Sequence, residues 1–110
     1  MKTPAQYKTI IISDLHLGSE GAKAKEVVAF LKSTSCETLI MNGDIIDGWQ
    51  LKKGGSWKKK HTAFFRVVLK MIEEHGTKVI YLRGNHDDFL DQIIPFQLGK
   101  QFSIRKDYIL

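Results

Sequence analysis

Thr38-Leu39-Ile40-Met41-Asn42-Gly43-Asp44-Ile45-Ile46-Asp47 joins a short apolar run directly to a polar cluster. Residues 38–41 are almost continuously apolar rather than alternating. That is how a strand covered on both faces reads. The same arrangement occurs twice more. Thr9-Ile10-Ile11-Ile12 runs into Ser13-Asp14-Leu15-His16, and Lys78-Val79-Ile80-Tyr81-Leu82 runs into Arg83-Gly84-Asn85-His86-Asp87.

Helical patterns separate these strands. In Ala22–Lys32, Val27, Val28, Phe30 and Leu31 fall within about one turn. In Trp57–His75, His61, Phe64, Phe65, Val68, Met71, Ile72 and His75 follow the i, i+3, i+4, i+7 spacing, and Gly76 supplies a stop. Strand–helix–strand–helix–strand predicts right-handed crossovers and a mostly parallel α/β sheet with flanking helices. Asp87–Phe96 predicts a further helix ending near Pro95, and the tail from Gln101 to Leu110 a strand or two. There is no internal repeat and no domain boundary, so residues 1–110 read as a single domain.

Composition narrows the class. Apolar residues make up 43% and charged residues 26%, which is globular and not disordered. The single cysteine, Cys36, excludes an intramolecular disulfide framework and a cysteine zinc cluster. No apolar run approaches the ~20 residues of a membrane span. Met1–Lys8 lacks the apolar stretch of a signal peptide, so a reducing, cytoplasmic setting is the expectation. The formal charge of +5 favours anionic partners without choosing among them.

In an open parallel sheet, ligands bind beyond the carboxyl ends of the strands. Three polar clusters would converge there, bringing Asp14, Asp44, Asp47, Asp87, His16, His86 and Asn85 together. So many carboxylates in one crevice repel unless a cation is present. Oxygen and imidazole donors without thiolate suit Mn²⁺, Fe or Zn²⁺ in a catalytic setting. Gly43 and Gly84 precede the candidate ligands and permit sharp turns. Asp14 and His16 are two apart, so on an extended strand end both would point the same way. His61 and His75 lie on the apolar helix face and read as packing residues.

The segment Gly48–Lys60, GWQLKKGGSWKKK, stands apart. One reading is a solvated loop leading into a helix. The other is an anion-facing loop in which Trp49 and Trp57 make apolar contacts and Lys52 and Lys53 meet substrate. Too few aromatics interleave its lysines to form a nucleic-acid stacking platform, so nucleic acid ranks low as a partner.

The sequence resembles the calcineurin-like metallophosphoesterases, whose opening motifs are Asp-x-His, Gly-Asp-x-x-Asp and Gly-Asn-His-Asp/Glu. Here they stand as Asp14–His16, Gly43–Asp47 and Gly84–Asp87. Asp14–Leu17 and Gly43–Trp49 look like the UDP-2,3-diacylglucosamine hydrolase group within that family. The resemblance implies metal-dependent hydrolysis of a phosphoester or pyrophosphate, with UDP-2,3-diacylglucosamine yielding UMP and an acylated sugar phosphate. It implies two divalent ions, Mn²⁺ foremost, with Asp14 and His16 on the first, Asp44 bridging, and Asn85 on the second. His86 would sit beside the scissile phosphate as a general acid or charge stabiliser, with Asp87 steadying it, Asp47 would orient His16, and Arg83, Lys52, Lys53 and Trp49 would contact substrate. A phosphate-containing small molecule or lipid-linked nucleotide is the implied partner, with peripheral contact at the inner face of a membrane.

The family continues with further histidine motifs, whereas this chain has only His16, His61, His75 and His86. The fold expected is therefore a partial metallophosphoesterase sandwich without its C-terminal half, its second metal site incomplete. The alternative is a non-catalytic module or pseudoenzyme that holds metal or phosphate weakly and forms a homo-oligomer through an exposed sheet edge.

Overall fold

The computed structural model describes residues 5–18, 23–54, 57–84, 87–88, 90 and 96–106. Strand β1 (Ala5–Ile12) leads to helix α1 (Ala24–Lys32) and strand β2 (Thr34–Asn42). A five-residue helix α2 (Gly48–Lys52) and the long helix α3 (Lys59–His75) precede β3 (Lys78–Leu82). Strands β4 (Phe96–Leu98) and β5 (Phe102–Arg105) complete the fold. The sheet order is β1-β2-β3-β5-β4, parallel throughout except for β4, which runs antiparallel to β5 at one edge. The expected α/β architecture is thus present.

Winding direction explains where the helices lie. Two successive crossovers of one hand, stepping the same way along a sheet, deposit both helices on the same face. Accordingly α1 and α3 lie against one another, and Leu31, Phe64, Val67, Val68 and Met71 share a core with Ile10, Leu39, Met41, Val79 and Tyr81. Phe64 is fully buried there, worth about 1.5–3 kcal/mol relative to exposure. The opposite face carries a smaller cluster of Ile40, Ile80 and Leu82. Coverage on both faces therefore holds for the central strands and fails at the β1 edge. Ile11, in register with Ile40, is 54% exposed.

Three local expectations are corrected. Phe30 and His75 face solvent, because the stripes of α1 and α3 that meet the sheet run through Leu31 and through Phe64, Val68 and Met71 instead. Residue 96, the last of the helix expected over 87–96, opens strand β4 instead. Of the rest of that expected helix, residues 89 and 91–95 lie outside the described residues, while Asp88 and Leu90 have 3₁₀ geometry and Leu90 N donates to Asp87 O at 3.1 Å. The C-terminal stop of α3 is as expected. Gly76 adopts φ 65°, its N–H reaches Ile72 O at 3.0 Å, and Thr77 N reaches Met71 O at 3.3 Å. This double closure needs a left-handed residue, which glycine supplies without a side-chain clash.

Candidate metal centre

Backbone bonds fasten the loops after β1 and β2 to one another. Asp14 N donates to Gly43 O (3.1 Å), His16 N to Asp44 O (2.9 Å) and Leu17 N to Ile45 O (2.8 Å). Asp47 N returns the pattern by donating to Leu17 O at 2.8 Å. Leu15, Leu17 and Ile45 plug into the core beneath these bonds. The polar residues between the plugs are thereby turned upward, away from the sheet.

Asp14 (φ 57°), His16 (φ 50°) and Asp44 (φ 53°) are left-handed, as no other non-glycine among the described residues is. Such backbone costs about 1–3 kcal/mol per residue and persists only where surrounding bonds over-determine it. The extended strand end expected for Asp14 and His16 is therefore replaced by two left-handed residues flanking Leu15. The side chains still converge. One ligand atom from each of Asp14, His16 and Asp44 lies within 4.8 Å of the others. His16 Nε2 is 3.9 Å from Asp14 Oδ1.

The orientation of His16 has a definite cause. Its Nδ1 lies 3.0 Å from Oδ2 of the buried Asp47. A carboxylate accepts, so Nδ1 carries the proton and Nε2 presents its lone pair toward the carboxylates of the cluster. Two carboxylates and one such imidazole fit a hard or borderline divalent cation.

Asp87 is fully buried and lies beneath the cluster. Its Oδ2 accepts from Ile45 N at 3.0 Å and from the Tyr81 hydroxyl at 2.7 Å. Its Oδ1 accepts from Asp44 N at 3.3 Å and from Gly84 N. Burial, and then the neighbouring Asp87 charge, push the Tyr81 phenol far above its ordinary range, so it remains a donor. Gly84 is required by proximity. A Cβ there would collide with Asp44 Oδ1 and with Asp44 N. Tyr81 and the Gly84–Asp44 contact were not identified from sequence. The only signal at Tyr81 was an apolar strand, in which a phenol reads as core.

The remaining sequence candidates are distributed as follows. Asn85 and His86 lie outside the described residues. Arg83 is half-buried and donates to Gly84 O at 3.4 Å. Trp49 is exposed on α2 and donates to Asp88 Oδ1 at 3.4 Å, which ties the loop after β2 to that after β3. Lys52 and Lys53 are exposed at the end of α2. His61 is fully buried at the start of α3, as the packing reading requires. Its Nδ1 accepts from Lys58 N at 3.1 Å, and its Nε2 has no hydrogen-bond partner among the described residues. Burial, then the charges of Lys60 and Lys58, hold its pKa below the ordinary value.

The strand ends of a crossover sheet thus gather Asp14, His16 and Asp44 over a buried aspartate. The chain belongs to the calcineurin-like phosphoesterase family, whose model matches residues 7–109. It is 30% identical over 94 residues to a UDP-2,3-diacylglucosamine hydrolase from Azotobacter vinelandii. That match covers 83% of this chain and 38% of the relative, so the chain spans about two-fifths of the relative's length. No helix of the described residues is long and apolar enough to cross a membrane.

Proposed function

We propose that this chain carries the first part of a hydrolase active site that cleaves a phosphoester or pyrophosphate with the help of divalent metal. The observation that supports this most is the convergence of Asp14, His16 and Asp44, with His16 oriented by Asp47. Asp14, His16 and Asp44 would hold a divalent ion, Mn²⁺ being well suited, with Asn85 the candidate for a second. Such ions polarise a phosphoryl oxygen and acidify water near neutral pH. The protein's own part is to hold two carboxylates and an imidazole in one fixed constellation, so that little reorganisation is needed when substrate arrives. His86 is the candidate to protonate or stabilise the leaving oxygen.

UDP-2,3-diacylglucosamine is the proposed substrate, on the strength of the relative's name and of the Asp14–Leu17 and Gly43–Trp49 motifs. The exposed Trp49 and Trp57 and the exposed Lys52, Lys53, Lys58 and Lys59 support contact with an anionic nucleotide or with a membrane surface that delivers it. The test is UMP release from that substrate in Mn²⁺, with Asp44→Asn alongside. Release that requires metal and disappears in the variant is expected. Release indifferent to Asp44→Asn would sink the proposal.

A further inference from the structure

We propose that Tyr81 is a positioning residue for the metal centre: its hydroxyl, acting through the Asp87 carboxylate, holds Asp44 in the left-handed backbone that turns its side chain toward Asp14 and His16. The inference rests on the metal-binding reading above and extends it to a residue one shell further in.

Tyr81 stands in the middle of β3, 3% exposed, with Met41 on one side and Ile104 on the other in register. Those neighbours are apolar, so phenylalanine would meet the packing requirement of the site as well. What tyrosine adds is the hydroxyl, 2.7 Å from Asp87 Oδ2. The ring is fixed by a strand paired on both edges, so the hydroxyl is a fixed point relative to the sheet.

Asp87 passes that fixity to the loops. Its partners among the described residues are the Tyr81 hydroxyl and the N–H groups of Asp44, Ile45 and Gly84. A buried carboxylate held, among the described residues, by neutral donors alone depends on each of them, because no water replaces one that is lost. Of the bonds to the loop after β2, that from Asp44 N is longer (3.3 Å) than that from Ile45 N (3.0 Å). It is therefore the one most easily surrendered when the carboxylate shifts. Asp44 N also belongs to a residue at φ 53°, which relaxes toward ordinary backbone once released. Gly84 leaves room for Asp44 to sit directly on the loop after β3, so the two loops move together or not at all.

The experiment compares the chain with Tyr81→Phe and with Thr77→Val. Thr77 is an equally buried donor, to Cys36 O at 2.8 Å, on the strand end away from the cluster. Two quantities are read: hydrogen exchange of the Asp44 and Ile45 amides by NMR without metal, and Mn²⁺ affinity by calorimetry. In Tyr81→Phe, Mn²⁺ binding weakens by about 10–100-fold, the usual effect of removing a group that orients a ligand. The Asp44 and Ile45 amides exchange faster, while those of Leu39 and Ile40 do not change. Thr77→Val lowers thermal stability and moves neither quantity. Mn²⁺ affinity unchanged in Tyr81→Phe, or reduced no more than in Thr77→Val, would overturn the proposal. So would a Tyr81→Phe chain that does not fold, since the hydroxyl would then be serving the fold at large. A native chain that takes up no Mn²⁺ fails the metal reading itself, and the amide exchange then shows separately whether Tyr81 secures the loop.

Discussion

His16 and His61 both sit beside the end of a regular element, and both use Nδ1 in a hydrogen bond. Their partners differ in kind. Asp47 accepts from His16 Nδ1, whereas the Lys58 N–H donates to His61 Nδ1. The tautomers are therefore opposite. His16 turns an Nε2 lone pair toward two carboxylates. His61 must carry its proton on Nε2, buried and without an acceptor among the described residues, edge-on to Trp57 with ring centroids 5.1 Å apart. A histidine becomes a metal ligand or a helix cap according to what its other nitrogen touches, and residue type alone does not decide it.

The strongest way to break this contrast is to exchange both rings for the same residue. His16→Gln should abolish measurable Mn²⁺ binding, and His61→Gln should leave it unchanged. Calorimetry on the two variants decides, and equal losses would refute the tautomer argument. A smaller effect sharpens it. Asp47→Asn keeps the shape and removes the charge that holds the Nδ1 proton. Mn²⁺ affinity should fall about 10–100-fold with little change in thermal unfolding. The smallest effect belongs to His61 and appears in stability. Its folded pKa lies below the ordinary 6.5, so the folded state resists a proton that the unfolded chain accepts. Its contribution to stability is full above about 6.5 and is lost as pH falls toward the folded value. Thermal unfolding followed from pH 7.5 downward should show this decline, and His61→Gln should flatten it.

Much of this was legible in the sequence because it depends on local pattern. Strand–helix alternation placed β1, β2 and β3, the Trp57–His75 periodicity placed α3 to within two residues, and three polar clusters marked the strand ends. The antiparallel β4 was not legible, since Phe96–Leu98 is three residues long and acquires its form only from β5. Nor was the left-handed backbone at Asp14, His16 and Asp44. None is glycine, and what sustains each conformation is a bond to a loop some thirty residues or more away in the chain. Phe30 and His75 illustrate the limit of periodicity. A helix stripe wider than the surface beneath it leaves its margin in water, and the width of that surface is a property of the assembled sheet.

The contact between Gly84 and Asp44 bears on anyone who would transplant this centre. Copying Asp14, His16 and Asp44 onto another parallel sheet would reproduce the letters of the motif and lose its shape. The recipient would also need a residue without a side chain opposite Asp44, a buried carboxylate beneath it, and a strand wide enough to carry a phenol to that carboxylate. The smallest portable unit is therefore three strand ends together with the floor they stand on.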